Sequence, residues 1–490
     1  MRRRSFLRSA GVAGAGLAGL GSLGTAAATH RDYRYHGTFP APSVEEIVTQ
    51  DGWAFCTSSG GILTVDMSDP TAPSFGDRVQ GDDITSTHDV KVDTYETDNC
   101  GEMRIAVLTH TRIHDFRGIS VFDVTDPTDI QHLTTTETAG TVHNCFFKDG
   151  YAYLTIHAGA PARMVIYDLG DPWNPTTIEG EDEAYETYRD VPDDEYGTGG
   201  SWMLANARED LAGTAIHDIY VTEEEGGEMA WLAYWDPGVV VVDVTDKRNP
   251  VAVAHFGAAD DAFQSSSTVR YVNGGGESNA HYVQPTPDGD YLLAGAETFG
   301  GTGHEEVGAT GDFGGIRAFD VRDVAPLDGG GTAVYPEADG VADLPPRKKE
   351  PLEGKDILQR PPDRRHPDNF VDYVAYIDSP DQPDDVLLTS HNFDVTETKV
   401  FTSWYQGGVR AFDLAPLYRG DGYEDHPQAA ADIEAPEEIA VFDPDGMAFW
   451  TAVNLSSAQD GDTYFTIGSD IGKGAVILEL TDELFTPTPP

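Results

Sequence analysis

A short motif recurs seven times along the chain, and this repeat limits the possible folds more than any other feature. Each copy has glycine or, once, arginine, followed by four mostly apolar residues and then an acidic residue. The seven copies begin at Gly61, Gly118, Arg163, Gly238, Gly315, Gly408 and Gly474. An apolar run this short indicates a strand covered on both faces. The acidic residue can accept backbone N–H groups of a following turn.

A second pair of strands precedes the motif. HNCFFKDGYAY (143–153) aligns with EEIVTQDGWAF (45–55), and the Asp-Gly turn in each predicts a β-hairpin. Four antiparallel strands repeated around a ring form a propeller. The sequence therefore predicts an all-β fold, a seven-bladed β-propeller of four-stranded antiparallel blades, as one domain over residues 29–490. Residues 179–213 and 326–370 break the rhythm and are interpreted as insertions.

Three copies of the motif resemble a known repeat. ILTVDMSDPTAP, ISVFDVTDPTDI and VVVVDVTDKRNP are similar to the LVIVD-repeat family, named for an apolar run that ends in Val-Asp. The resemblance extends over about residues 43–482. It implies a propeller of haloarchaeal type in an extracytoplasmic setting, and it implies no particular activity.

The first 28 residues have the pattern of an export signal. Arg3 and Arg4 precede Ser-Phe-Leu-Arg, a glycine-rich apolar run and an Ala-x-Ala site, which together resemble a twin-arginine (Tat) signal. We expect no transmembrane segment in the mature chain, because no later stretch reaches 18 apolar residues. The sequence predicts an extracellular or cell-surface protein that begins near Thr29.

The net charge of the chain limits the classes of molecule that it can bind. It has 84 acidic and 31 basic residues, a net charge of -53, and only eight lysines. Such a chain repels nucleic acid, so we expect no nucleic-acid partner. The acids are spread over the whole length, which indicates adaptation to high salt, where screening shortens charge repulsion to ~3 Å at 1 M. Three cysteines do not form a disulfide framework.

Histidine or glutamate begins the first predicted strand of every blade. The positions are Glu45, His88, His143, His217, His281, His391 and, in the seventh blade, Glu437 or Glu438. Because first strands line the central channel of a propeller, these side chains should converge on its axis. Imidazole and carboxylate are ligands for divalent transition metals.

Two interpretations of this ring stay open. In one, a subset of the five histidines binds one divalent transition metal, and the glutamates accept hydrogen bonds from the ligands or act as a base. In the other, the ring is a belt of structural hydrogen bonds. Further candidates for lining the channel stand at the ends of second strands: His110, His157, Trp235, Glu297 and Trp404.

The leading functional hypothesis is a module that binds a protein or a small molecule, with a metal site in its channel. The alternative is a metal-dependent enzyme resembling an oxidoreductase, with the histidine ring as its active site. A propeller hydrolase is a third option, although such enzymes tend to hold calcium through oxygen ligands. The fold alone does not choose among them.

Overall fold

The fold is known from a computed structural model. It describes residues 33–41, 44–80, 87–111, 117–138, 140–158, 163–178, 201–202, 216–224, 226–234, 238–248, 250–256, 280–297, 314–322, 324–326, 372–380, 389–418, 435–456 and 463–481. The insertions predicted at 179–213 and 326–370 lie almost entirely outside these residues.

Seven sheets of antiparallel strands make up the described chain. The first strand is β1 (Tyr33–Phe39). Blade one contains β2 (Ile47–Gln50), β3 (Trp53–Ser58), β4 (Gly61–Asp66) and β5 (Ser74–Gln80). Blade two contains β6 (Val90–Thr97), β7 (Gly101–His110), β8 (Gly118–Asp123) and β9 (Gln131–Glu137). Blade three contains β10 (Thr141–Lys148), β11 (Tyr151–Ala158), β12 (Arg163–Asp168) and β13 (Thr176–Thr177), with β14 (Ser201–Trp202) paired to β12.

The remaining blades follow the same order. Blade four contains β15 (Asp218–Glu224), β16 (Gly227–Ala233), β17 (Val239–Asp243) and β18 (Val251–Phe256). Blade five contains β19 (Tyr282–Pro285), β20 (Tyr291–Gly295), β21 (Ile316–Asp320) and β22 (Asp372–Ile377). Blade six contains β23 (Phe393–Val395), β24 (Lys399–Ser403), β25 (Val409–Asp413) and β26 (Glu437–Phe442), with a one-turn helix α1 (Ala415–Tyr418) after β25. Blade seven contains β27 (Phe449–Asn454), β28 (Thr463–Asp470) and β29 (Gly474–Thr481).

The fourth strand of blade seven comes from the other end of the chain. β1 pairs antiparallel with β29, so the N-terminal strand closes the ring. Glu479 of β29 accepts hydrogen bonds from His36 (2.6 Å) and from Arg34 (3.3 Å) on β1. The predicted seven-bladed propeller is confirmed, but the sequence reasoning did not identify this closing strand.

Buried apolar side chains fill the junctions between blades. In the described chain they form seven clusters, and each joins two neighbouring blades. One cluster combines Ile47 and Leu63 of blade one with Ile467 and Ile477 of blade seven, which completes the circle. The hydrophobic core is therefore a ring of interblade layers around a polar channel.

The repeated glycine and acid each have a local role. A Cβ atom at Gly61 would lie 2.0 Å from the carbonyl oxygen of Val79 on the fourth strand, and Gly408 has a φ of 88°. Glycine is required where the backbone approaches so closely or takes this conformation. The acid accepts an N–H from the residue two positions later, as from Ser68 to Asp66 at 2.9 Å. These bonds are the predicted Asx turns.

Among the described residues, no helix is long and apolar enough to cross a bilayer. All three cysteines are free, with Cys56 and Cys145 buried and Cys100 exposed. Burial raises the pKa of the Cys56 thiol to about 12. The buried pair therefore packs as small apolar side chains.

Candidate metal centre

The five histidines occupy equivalent backbone positions. His88, His217, His281 and His391 each donate their backbone N–H to a carbonyl near the end of the second strand of the same blade, at 2.7–3.0 Å. In blades one, two, three and seven, the residue that follows this position donates its backbone N–H to a Thr or Ser hydroxyl of the second strand, at 2.9–3.1 Å. These bonds define a ring of Glu45, His88, His143, His217, His281, His391 and Trp450.

The ring side chains contact one another in blade order. Centroid distances are 4.0 Å for His88–His143, 4.3 Å for His143–His217, 3.9 Å for His217–His281 and 4.3 Å for His281–His391. Trp450 completes the circle, 4.0 Å from His391 and 5.4 Å from His88. The structure thus brings all five predicted histidines together at one level of the channel.

The prediction for blade seven was wrong. Glu437 and Glu438 lie on β26, the fourth strand of blade six, and both are exposed. Glu438 forms an ion pair with Arg410 on the neighbouring β25. The Pro-Asp-Gly turn at 444–446 joins β26 of blade six to β27 of blade seven, and so does not join the first two strands of one blade. The ring residue of blade seven is Trp450, so the ring contains one glutamate.

Three imidazole nitrogens meet on one side of the ring. Nε2 of His143 lies 3.1 Å from Nε2 of His88 and 2.8 Å from Nε2 of His217. Nδ1 of His88 lies 3.1 Å from Glu45 Oε2, and Nδ1 of His217 lies 2.9 Å from the carbonyl oxygen of His281.

These partners determine where the protons are. Both oxygens require a donor, so Nδ1 carries the proton in His88 and in His217. A neutral imidazole has one proton, so Nε2 of each ring then presents a lone pair to His143. His143 can bring only one proton to the two contacts. The three Nε2 lone pairs can bind one cation together when the proton of His143 lies on its Nδ1.

A compact ligand set lies next along the ring. Within the described residues, His217, His281 and Glu297 form a group whose ligand atoms all lie within 4.8 Å of one another, and all three are buried. His281 Nε2 lies 3.5 Å from Glu297 Oε2. Tyr405 donates its hydroxyl to Glu297 Oε1 at 2.6 Å, which fixes the carboxylate. Glu297 is one of the predicted channel residues at a second-strand end.

The other second-strand candidates fall elsewhere. His110 Nε2 lies 2.8 Å from Ser120 on the third strand of blade two. Trp404 is fully buried in the apolar cluster between blades five and six, and donates its indole N–H to Thr402 at 2.6 Å. Trp235 and the side chain of His157 lie outside the described part of the chain. Trp404 therefore packs in the core, and the prediction that it lines the channel was wrong.

Sequence reasoning missed a second polar layer, one residue further along each first strand. Asn392 donates to Glu46 Oε2 at 2.7 Å, and Asn144 donates to Asp218. Lys91 pairs with Asp89. The signal was present in the sequence, since an acid or amide follows four of the histidines and Glu45.

The carboxyl–amide layer consists of the residues that follow the seven ring positions, together with Lys91, and it holds more acid than base. Its ring-following members are Glu46, Asp89, Asn144, Asp218, Tyr282, Asn392 and Thr451. Burial raises the pKa of Glu46 to about 7 and that of Asp218 well above its usual range. Burial opposes the charge of Lys91, but Asp89 and Glu46 outweigh this and raise its pKa. Burial also lowers the pKa of His391, which favours the neutral imidazole. Burial therefore favours the protonated forms of Glu46 and Asp218 in this layer.

Comparison with known proteins supports the fold only. No family model matches the chain, and no curated protein matches it. Among solved structures, the β-propeller domain of Cps50 (Swd1) from Myceliophteria thermophila matches with a TM-score of 0.50 and 9% identity over 92% of this chain and 99% of that chain. A functionally unknown protein from Desulfotomaculum acetoxidans DSM 771 matches with a TM-score of 0.45 and 10% identity over 76% and 83%.

Proposed function

We propose that the protein is a binding propeller that holds one divalent transition metal at its axis, with His217, His281 and Glu297 as ligands. The observation that carries this proposal is the mutual 4.8 Å limit on the ligand atoms of three buried side chains from two neighbouring blades. Ligands bound to one metal at ~2.0–2.2 Å are about 3.5 Å apart in tetrahedral geometry. Shifts of about 1 Å would therefore complete the site, and His281 with Glu297 already has this spacing.

The surroundings of the three ligands support the same proposal. The Nδ1–H of His217 is held by a backbone carbonyl, and Glu297 is held by Tyr405. Hydrogen bonds of this kind orient metal ligands in proteins and increase their affinity. His143 Nε2, 2.8 Å from His217 Nε2, is placed to serve as a further ligand.

The test is the metal content of purified protein after dialysis. We expect about one equivalent of metal in the unmodified protein, and loss of at least nine-tenths of it in His217→Ala/His281→Ala, because two of the three ligands are removed. His132→Ala is the matched control, since His132 lies on the fourth strand of blade two beside Thr135. Metal-free protein that takes up none on titration would assign the ring to a structural belt.

Two histidines and one carboxylate leave coordination positions open. We propose that these positions receive a ligand molecule in a binding module. The same open positions favour a metal-dependent enzyme as the second candidate. Consumption of dioxygen by protein loaded with Fe²⁺ would favour the enzyme, and its absence would favour the binding module.

We also infer that the protein is exported by the Tat pathway and belongs with LVIVD-repeat propellers of salt-adapted cells. Residues 2–28 and the repeated apolar strands, two of which end in Val-Asp, support this proposal. Replacing Arg3 and Arg4 by lysine should leave at least about nine-tenths of the protein inside the cell as precursor, because the pathway reads the arginine pair. Immunoblots of cells and medium would show it. Unchanged secretion would contradict the proposal.

A further inference from the structure

A large cavity lies in the channel on the side of the carboxyl–amide layer away from the histidine ring. Its volume is about 770 Å³, within the size range of small-molecule sites. Its walls begin at Glu46, Tyr282 and Thr451 of the carboxyl–amide layer and continue along the first strands toward their hairpins, and none of the seven ring residues lines it. The polar layer therefore separates this cavity from the metal centre, and one channel contains two sites.

One wall of the cavity is aromatic. Four successive blades contribute Phe146, Tyr220, Tyr282 and Phe393 to its lining. The ring centroids of Phe146 and Tyr220 are 4.7 Å apart, and those of Tyr282 and Phe393 are 4.8 Å apart at 90°. Phe146, Tyr220 and Tyr282 are only half-buried, so their rings are partly exposed to the cavity.

The charged groups of the cavity are mostly carboxyls. Asp394 accepts hydrogen bonds from Gln284 (3.2 Å) and from the backbone of Asn454 (2.9 Å). The side-chain oxygen Oδ1 of Asn454 is buried and has no hydrogen-bond partner. Glu46 lies at the inner end and Glu397 at the exposed rim. The one cationic side chain of the lining, Lys91, is paired with Asp89.

These features select the charge of a ligand. Carboxyls and an unpaired buried acceptor disfavour an anion, because burying like charges together is costly. A purely apolar molecule would leave Asn454 Oδ1 without a donor. Aromatic rings combined with carboxylates are the surroundings that alkylammonium groups prefer. We propose that this cavity binds a small organic cation of the alkylammonium class, with Asp394 as its counter-ion and Tyr220 and Phe146 against its alkyl groups.

The acid–base state of the cavity gives this proposal a second readout. Burial raises the pKa of Glu46 to about 7 and also raises that of Asp394. A bound cation favours the ionised carboxylates, so binding releases protons and strengthens as the pH rises through the raised pKa values of these two groups. Lys91 and Asp89 face Glu46 from blade two, and Asp218 faces it from blade four. Tyr220 and Tyr282 face Asp394. Lys91 remains charged as these carboxyls titrate, because its pKa is raised.

The probe is choline, compared with its uncharged carbon isostere, a dimethylbutanol in which carbon replaces nitrogen. Both are titrated calorimetrically into the full-length secreted protein in molar KCl. We expect choline to bind at least about tenfold more tightly than the isostere, because the two differ in charge and hardly in shape. Proton release is measured by repeating the titration in buffers of different ionisation enthalpy.

Variants separate the aromatic and acidic contributions. Asp394→Asn and, independently, Tyr220→Leu should each weaken choline binding about tenfold, and neither should affect the isostere as strongly. Glu96→Gln, an exposed acid on β6, is the control and should change nothing. The doubly substituted His217→Ala/His281→Ala protein should still bind choline, which separates this site from the proposed metal centre. Equal binding of the two probes, binding of neither, or choline affinity unchanged in both Asp394→Asn and Tyr220→Leu would overturn the proposal.

Discussion

Removing residues 1–39 will open the propeller, whereas removing residues 1–28 will leave it closed. The longer deletion takes away β1 and leaves blade seven with three strands and an exposed edge at β29. It also removes the buried side chain of Tyr33, which is 7% exposed, and so uncovers the apolar residues around it. Glu479 loses its hydrogen-bond partners on β1. Each buried aromatic side chain contributes about 1.5–3 kcal/mol. We expect the free energy of unfolding to fall by at least about 3 kcal/mol.

The measurement is thermal and denaturant unfolding of the two truncated chains, monitored by circular dichroism.

Thermal unfolding at ~0.1 M and ~3 M KCl also tests the proposed salt adaptation, since screening should raise the midpoint temperature of both chains. Glu479→Gln gives a milder comparison, because it removes one charge and keeps the strand. Equal stability of the two truncated chains would show that β1 is not needed for closure.

The closing strand of blade seven could not be predicted from a local sequence pattern. The third strand of each blade carries a local pattern, because its glycine and its acid serve the neighbouring turn and strand. β29 has Glu479 where the other blades have aspartate, and its carboxylate binds side chains of a strand more than 440 residues away. No local pattern encodes that pairing. The prediction of a first strand at 437–438 failed for a separate reason, because the Pro-Asp-Gly turn at 444–446 joins two blades and not two strands of one blade.

The histidine ring could be predicted from the repeat, but the subset of its residues that forms a metal site could not. Histidines at one repeat position converge because symmetry places equal positions at equal height, so His88, His143, His217, His281 and His391 could be found without coordinates. Trp450 departs from the repeated residue type and was missed for that reason. Which subset of the ring approaches one point depends on rotamers and on Glu297 and Tyr405 from other strands. Such long-range contacts have no signature in a single sequence.

Replacing Lys91 by methionine will destabilise the protein strongly and in a pH-dependent way. Lys91 is the cation paired with Asp89 in the carboxyl–amide layer, and Asp89 is 1% exposed. Removing one partner of a buried ion pair costs about 3–5 kcal/mol, because the other charge is left uncompensated. We expect a loss of this size in urea unfolding at pH 8, against little change for Lys473→Met, which alters an exposed lysine.

The pH dependence follows from the direction of the carboxyl pKa shifts. Without Lys91, buried Glu46 and Asp218 have folded-state pKa values raised further above their unfolded values, so the folded state binds more protons. A group with a raised folded pKa loses stability as the pH rises from its unfolded value through its folded value. The defect of Lys91→Met should therefore shrink at pH 5 and grow toward pH 8. Asp89→Asn in the same chain should restore part of the stability at pH 8, and a defect that is equal at both pH values would show that Lys91 acts by packing alone.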